Sequence, residues 1–247
     1  MELALVSLAP GLALGSFLNV VAARVPRKAS IVKPASACME CKTPIGWRDN
    51  LPVVSWLILR GRCRACGTPI SPLYPAVELT TALLIAACVL AFGLTGQAVV
   101  AGFFCAVLVA VSAIDLTHRI IPNRIVLPAF VIVLAAQTLL EPSPQWALGA
   151  LGASGFLFLA VLAYPAGMGM GDVKLALLMG AALGKTVGVA LMLGMFAALV
   201  PAVVLLALHG SKARKMGIPF GPFLALGSVV GLFFGDQLLD AYLSLLT

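Results

Sequence analysis

The sequence is poor in charged residues. Only 10% of its 247 residues are Asp, Glu, Lys or Arg, whereas 62% are hydrophobic. Soluble proteins average about 25% charged residues. A soluble domain of this length could not bury so much apolar surface, and the excess requires a lipid environment. The scarcity of charge therefore excludes a soluble globular protein and indicates an integral membrane protein.

The sequence also lacks the common catalytic signatures. It has only two histidines, and neither a Gly-x-Ser-x-Gly nucleophile motif nor a His-Glu-x-x-His zinc-protease motif. No soluble Gly-x-Gly-x-x-Gly segment indicates a separate nucleotide-binding domain. Basic and aromatic residues do not alternate in the way that stacking on bases requires, so nucleic acid is not an expected partner.

Long runs without charge predict the membrane-spanning segments, because a spanning helix needs about 20 apolar residues. We predict eight helices, near residues 3–23, 76–93, 98–114, 125–140, 147–164, 173–184, 186–208 and 222–245. The sixth is too short to cross a membrane unaided. The expected fold is an all-α polytopic membrane protein of about eight transmembrane helices, with a small cytosolic insert of zinc-knuckle type between the first two.

Basic residues are distributed unevenly among the predicted loops. With eight spans and the N-terminus outside, fifteen of the sixteen Lys and Arg residues fall on one side, and only Lys185 falls on the other. The positive-inside rule places the basic side in the cytosol. The first apolar run has no basic residue before it, which predicts a retained helix rather than a cleaved signal. The net charge of +7 therefore reflects membrane topology.

The soluble insert, residues 24–75, contains two Cys-x-x-Cys pairs that are each followed by a Thr-Pro turn. The four cysteines are Cys38, Cys41, Cys63 and Cys66. Four thiolates at such spacing predict one tetrahedral Zn²⁺ site, and closed four-cysteine sites are usually structural. A reducing cytosol disfavours disulfides. Cys88 and Cys105 lie in predicted helices and are expected to be small buried hydrophobic residues.

Three of only nine acidic residues, Glu78, Asp115 and Asp172, lie at boundaries of predicted helices. Asp115 ends the third helix, Asp172 begins the sixth, and both fall on the predicted cytosolic side. Carboxylates at membrane depth are costly and often functional. Two neighbouring carboxylates can share a proton, so that one activates water while the other protonates a peptide carbonyl oxygen. The pair therefore predicts peptide hydrolysis without a nucleophilic Ser or Cys.

Three glycines, Gly167, Gly169 and Gly171, precede Asp172 and leave room for a peptide backbone to approach it. An alternative interpretation needs no chemistry. Asp172 would cap the helix that it begins, and Asp115 would anchor a membrane edge.

Three other polar residues lie near these boundaries. Glu78 is expected to be a favourable first-turn acid at the start of the second helix. Lys174 either pairs with a carboxylate or marks the cytosolic boundary. His118, three residues after Asp115, is expected to be an interfacial residue rather than a catalyst.

The chain contains an ordered set of short motifs that covers nearly its whole length. They are Gly15–Pro26, Leu51–Leu57, Arg60–Ser71, Tyr74–Glu78, Ile114–Asp115, Gly169–Lys174 and Pro219–Gly227. As a set, they resemble the bacterial type IV prepilin peptidase family, also called leader peptidase/N-methyltransferase. Gly-x-Gly-Asp alone would be a weak signal, whereas the ordered set is highly specific.

The resemblance implies a membrane aspartic endopeptidase of the Gly-x-Gly-Asp type, with Asp115 and Asp172 as its catalytic pair. Gly169, Gly171 and Lys174 would form the supporting loop. Such enzymes cut the basic leader of a type IV prepilin or pseudopilin after its terminal glycine. The expected partners are therefore this substrate helix and membrane lipid.

The resemblance further implies methylation of the new N-terminal residue with S-adenosylmethionine, with Gly61 and Glu78 associated with that activity and zinc on the four cysteines. The family often has acids near positions 117 and 123, where this sequence has Thr117 and Asn123. That difference leaves the aspartate pair intact.

Three parts of the chain are expected: a first transmembrane helix (1–23), a methyltransferase-associated insert (24–75) and a membrane peptidase domain (76–247). The expected location is the bacterial inner membrane, with a periplasmic N-terminus and with the insert and both aspartates on the cytosolic side. One alternative is a leader peptidase without methyltransferase activity. Another is a transporter using both acids as a proton or cation site, which paired repeats would favour and this sequence lacks.

Overall fold

The structure, a computed structural model, describes residues 2–165, 168–210 and 217–245. Gly167 and the basic residues of segment 211–216 lie outside the described residues. The contacts divide the chain into two units, residues 1–114 and 115–247.

The described residues are mainly helical. Their α-helices are α1 (Glu2–Arg24), α2 (Val54–Ile58), α3 (Leu73–Phe92), α4 (Gly96–His118), α5 (Asn123–Leu140), α6 (Gln145–Ala163), α7 (Met170–Leu183), α8 (Val187–His209) and α9 (Gly221–Ser244). Two short 3₁₀ turns, Trp47–Asn50 and Gly184–Thr186, complete the helical structure of this part of the chain. The prediction included neither the short α2 in the insert nor the two 3₁₀ turns.

Seven helical stretches of the described chain are long and apolar enough to span a membrane. One of them, Met170–His209, contains both α7 and α8. Gly184, with φ +56°, ends α7 and begins the turn between the two helices. The seven stretches thus contain the eight predicted helices, and the all-α polytopic fold is confirmed.

Two helix boundaries differ from the prediction in ways that affect candidate residues. Helix α4 continues to His118, and Arg119 follows with φ +54°. Asp115 therefore lies within the last turn of the helix rather than at its end. Helix α3 begins at Leu73 and has no acid in its first turn. The expectation that Glu78 is a first-turn acid was wrong, because Pro75 is accommodated in the opening turn, where a missing N–H costs little.

In the first unit, α1 packs closely along α3. A Cβ added at Gly11 would lie 2.7 Å from the Cα of Ala82, and one at Gly15 would lie 2.6 Å from the Cα of Glu78. Glycines four residues apart let two helix backbones approach in a membrane. This contact fixes the position of the Glu78 backbone against α1.

The second unit is built around α7, which packs against α5, α6 and α9. Its 14 residues reach about 21 Å at 1.5 Å per residue, which is less than the roughly 30 Å of a bilayer core. Leu175, Ala176, Leu178, Met179 and Ala181 on this helix are all completely buried. Neighbouring helices thus cover this helix, which begins with the Asp172 segment.

Helices α6 and α7 touch through their backbones. A Cβ added at Gly149 would lie 2.6 Å from the carbonyl oxygen of Gly184 and 2.8 Å from that of Gly180. A Cβ at Gly180 would in turn collide with the backbone of Gly149. Only glycine permits this approach.

We expect Gly149→Ala to destabilise the protein by about 1–3 kcal/mol, the usual cost of overpacking a core. The matched control is Gly152→Ala in the same helix, where a Cβ would meet nothing within 4 Å. Both variants gain the same helix propensity, so their difference reports packing alone. Thermal unfolding in detergent should give a lower Tm for Gly149→Ala, and equal values would contradict the backbone contact.

Candidate functional site

Asp172 lies in the first turn of α7, and its carboxylate bonds the backbone of the residue that precedes the helix. The N–H of Gly169 donates to Oδ2 of Asp172 over 3.1 Å, and the N–H of Asp172 donates to the carbonyl of Gly169 over 3.1 Å. The residue is buried, with 8% of its surface exposed. Its carboxylate therefore caps the helix, as the alternative interpretation expected, but this bond uses only one of its oxygens.

Asp115 lies in the last turn of α4 and is 5% exposed. Its Oδ2 accepts a hydrogen bond of 2.9 Å from the N–H of Gly221, the first residue of α9. A Cβ at Gly221 would lie 2.9 Å from the same oxygen, so a larger residue there would displace the carboxylate. Asp115 is thus buried against the N-terminus of α9.

One cavity brings the two aspartates together. It has a volume of about 420 Å³, and both Asp115 and Asp172 line it. The other residues that line it are Arg119, Ile120, Ile121, Asn123, Met168, Gly169, Gly171, Gly217, Ile218, Pro219 and Phe220. A Cβ at Gly171 would lie 2.9 Å from Cβ of Ile121. The glycines predicted to give room beside Asp172 therefore border the cavity.

Lys174 and His118 each have a side-chain partner. Nζ of Lys174 donates to Oδ1 of Asn123 over 2.9 Å, which ties α7 to the start of α5. Lys174 thus bonds an amide at one of the positions where acids were expected from the family. His118 is exposed, with Nδ1 2.7 Å from Oγ1 of the adjacent Thr117.

The sequence did not predict that the segment before α9 would complete this site. Gly217, Ile218, Pro219 and Phe220 line the cavity, and Gly221 holds Asp115. The Pro-Phe-Gly-Pro motif at 219–222 was the available signal, since Pro is favoured in the first turn of a helix, where Pro222 lies in α9. A backbone N–H that acts as a donor leaves no signature of its own in the sequence.

The four cysteines of the insert form one cluster. Their sulfur atoms all lie within 4.8 Å of one another and can hold a metal ion. The Sγ atoms of Cys38 and Cys66 are 3.8 Å apart, and those of Cys41 and Cys63 are 4.0 Å apart. Tetrahedral zinc with Zn–S bonds of about 2.3 Å has sulfurs about 3.8 Å apart. The arrangement therefore fits one tetrahedral metal ion.

The two cysteine pairs fold into similar loops. The N–H of Cys38 donates to the carbonyl of Thr43 over 3.0 Å, and that of Cys63 donates to Thr68 over 2.9 Å. Isolated antiparallel bridges close the loops, Ala37 to Pro44 and Arg62 to Pro69. The similarity read from the sequence extends to the backbone.

The threonines that follow the pairs also affect the thiols. Hydrogen bonding to the side chain and backbone of Thr68 lowers the pKa of Cys66 to about 6, and Thr43 lowers the pKa of Cys41 in the same way. A metal ligand must be a thiolate, so these hydrogen bonds favour the metal-binding form of Cys41 and Cys66.

Gly61 and Glu78 occupy different places in the first unit. Gly61 has φ +67°, and a Cβ there would lie 2.9 Å from the indole ring of Trp56. Glu78 is 8% exposed and borders a second cavity of about 810 Å³ between the insert and the helices α1 and α3. The absence of a side chain at Gly61 therefore leaves room for the Trp56 ring, whereas Glu78 lines a cavity.

Cys88 and Cys105 are fully buried, as expected, and their sulfurs lie 3.9 Å apart. They are separate from the four-cysteine cluster.

Comparisons with known proteins agree across the chain. Residues 10–92 match the bacterial peptidase A24 N-terminal domain, and residues 102–208 match the type IV leader peptidase family. No solved structure matches the chain.

Three relatives are each named prepilin leader peptidase/N-methyltransferase. The Bacillus subtilis protein is 38% identical over 95% of this chain and 96% of its own length. The Myxococcus xanthus protein is 41% identical over 80% of this chain and 62% of its own length. A Burkholderia pseudomallei protein is 35% identical over 91% of this chain and 83% of its own length. With such identity over nearly its full length, the chain belongs to the type IV leader peptidase family.

Proposed function

We propose that this protein cleaves the basic leader of type IV prepilins or pseudopilins after its terminal glycine and then methylates the new N-terminal residue. The observation that carries the peptidase is the pair of buried carboxylates, Asp115 and Asp172, on one cavity. Family membership and the shared name of the relatives support both activities.

The two aspartates are proposed as an aspartic protease pair. Because like charges in one buried site disfavour double ionisation, the pair holds one proton. The ionised carboxylate removes a proton from water, the resulting hydroxide attacks the peptide carbonyl carbon, and the protonated carboxylate donates to the carbonyl oxygen. Each carboxylate has one oxygen fixed by a backbone N–H, which leaves the other oxygen for this chemistry.

The surrounding residues suit a peptide substrate. Gly169 and Gly171 border the cavity without side chains, so an extended backbone could lie beside Asp172. Lys174 holds α7 to Asn123 and would steady this loop. We assign Gly169, Gly171 and Lys174 supporting roles rather than a part in proton transfer.

The setting is a bacterial inner membrane, which the seven apolar helical stretches suit. The positive-inside rule supports a periplasmic N-terminus, with the insert and both aspartates at the cytosolic side. A prepilin has its basic leader in the cytosol and its apolar helix in the membrane. Its cleavage site would then lie at the depth of Asp115 and Asp172. The membrane peptidase part would be residues 76–247.

The methyltransferase is assigned to the insert, residues 24–75, which follows the first transmembrane helix, residues 1–23. Gly61 in the insert and Glu78, just after it, are the associated residues. The match of residues 10–92 to the N-terminal family domain supports this assignment. The two-part name of the relatives favours both activities over a peptidase alone. S-adenosylmethionine, when bound, would supply the methyl group. Its S–CH₃ bond would break, which leaves the sulfur as a neutral thioether, and a C–N bond would form with the deprotonated amine.

The cysteine cluster is proposed as a structural zinc site. Its sulfur spacing fits tetrahedral zinc, and four cysteines would leave no open coordination position for catalysis. The insert has little hydrophobic core, so metal binding would supply much of its folding free energy.

Replacing Asp115 or Asp172 by Asn should abolish leader cleavage, with a loss of at least about 100-fold, because Asn cannot exchange the proton that general acid–base catalysis requires. Asn keeps an oxygen acceptor for the N–H of Gly221 or Gly169, so insertion and folding should persist. Cleavage of a purified prepilin measures the effect. The matched control is Asp236→Asn in an exposed ion pair with Lys185. Substantial cleavage by either aspartate variant would remove the pair from the mechanism.

Purified protein should contain about one zinc ion per chain. Cys66→Ser should lower the zinc content strongly because three thiolates bind the ion less tightly, whereas Cys88→Ala should leave it unchanged because Cys88 lies outside the cluster. Elemental analysis of both variants measures this. Metal-free wild-type protein with all cluster thiols open to titration would contradict the site.

Gly61→Ala should reduce methylation while leaving cleavage intact, because its Cβ would displace Trp56. Mass spectrometry of the mature pilin N-terminus distinguishes the methylated product from the unmethylated one. Gly67→Ala is the matched control: Gly67 also has positive φ, +71°, but a Cβ there would meet nothing within 4 Å. Equal methylation by the two variants would show that the contact with Trp56 is unimportant for this activity.

A further inference from the structure

The cavity in the first unit is larger than the aspartate cavity, and the peptidase mechanism does not use it. Its volume of about 810 Å³ lies within the usual range for small-molecule sites. The cysteine loops, the α2 segment and the facing helices α1 and α3 all contribute residues to its wall. A soluble insert and two membrane helices thus enclose one space.

A buried carboxylate, that of Glu78, borders this cavity. Its Oε2 accepts a 2.7 Å hydrogen bond from the N–H of Val53, and Oε1 lies 3.4 Å from Nδ2 of Asn19, which also donates to the carbonyl of Tyr74. Close packing at Gly15, four residues before Asn19 on the same helix, holds this part of α1 against Glu78. The carboxylate is therefore fixed in position by neutral donors.

The basic side chains that line the cavity form hydrogen bonds with groups other than Glu78. Arg24 donates to the carbonyls of Ser30 and Pro34 over 3.0 and 2.7 Å. Arg64 forms a bidentate pair with Asp49, with N–O distances of 2.9 and 2.7 Å. Within the described part of the chain, no basic side chain forms an ion pair with Glu78. A buried carboxylate without a countercharge is costly, and a bound cation would remove that cost.

The backbone that holds Glu78 is itself strained. Val53 has φ +61°, a conformation that β-branched residues rarely adopt. In this conformation its N–H reaches Glu78, and strain of this kind is often retained where a binding group must be positioned. The strained backbone of Val53 and the Glu78 carboxylate, which has no countercharge, therefore both indicate a ligand site at Glu78.

We propose that the insert cavity binds an organic cation against the carboxylate of Glu78. The inference rests on the proposed methyltransferase function, whose reaction brings two such cations. One is the sulfonium group of S-adenosylmethionine, and the other is the ammonium group of the newly exposed N-terminus. Glu78 attracts either group by charge, while its bonds to Val53 and Asn19 keep the carboxylate in place. The volume of the cavity suits a nucleoside-sized donor.

The test measures binding to the purified full-length protein in detergent by calorimetry. The probes are S-adenosylmethionine, the neutral thioether S-adenosylhomocysteine, and a mature-pilin peptide with a free or an acetylated N-terminus. Glu78→Gln removes the charge but retains an oxygen acceptor for Val53. The matched control is Glu141→Gln, an exposed acid that does not border the cavity. Thermal unfolding of each variant in detergent reports whether it is folded.

Glu78→Gln should weaken binding of a cationic probe by about tenfold or more, as expected for loss of a buried charge partner, while Glu141→Gln should not. A selective loss for S-adenosylmethionine over its thioether identifies the sulfonium as the cation. A selective loss for the free-amine peptide over the acetylated one identifies the substrate ammonium.

Unchanged affinity of Glu78→Gln for every cationic probe, in a protein that still methylates pilin, would overturn this inference and leave the proposed function standing. A wild-type protein that cleaves prepilin but neither binds the donor nor methylates would overturn the methyltransferase assignment and this inference with it.

Discussion

The buried carboxylates of this protein depend on backbone N–H donors for their positions. A carboxylate in a membrane protein has little water to hydrate it, so the fold must supply donors. Gly169 supplies one to Asp172, Gly221 supplies one to Asp115, and Val53 supplies one to Glu78. Backbone donors move less than long side chains, and they add no positive charge. Among the residues that the structure describes, no salt bridge neutralises any of these three acids.

Glycine makes these arrangements possible because helix backbones must approach closely to carry the acids to their donors. Gly15 brings α1 against the backbone of Glu78. Gly149 brings α6 against α7, the short helix that carries Asp172. Gly221 leaves space for the carboxylate that its own N–H binds. Without a strong hydrophobic force between helices in lipid, such backbone contacts provide the packing that holds them together.

Sequence reasoning identified the helices and the acids because both have local signals. Apolar runs mark spans, and the scarcity of acids drew attention to Asp115 and Asp172. The backbone donors that bind these acids could not be predicted from the sequence, for a physical reason. Gly221 lies 106 residues from Asp115, and an N–H group belongs to every residue except proline. The error at Glu78 arose at a helix boundary, where propensity is least informative, because the helix began before Pro75 rather than after it.

The two proposed chemistries make opposite demands on a buried acid. Peptide hydrolysis needs two carboxylates on one cavity, so that one can hold a proton while the other lacks it. Recognition of an organic cation needs a single carboxylate that no basic side chain already pairs with. Asp115 and Asp172 meet the first demand, since both border one cavity of the second unit. Glu78 meets the second in the first unit, because the arginines around it, Arg24 and Arg64, bind other groups. Separate cavities allow each acid the electrostatic surroundings that its own chemistry requires.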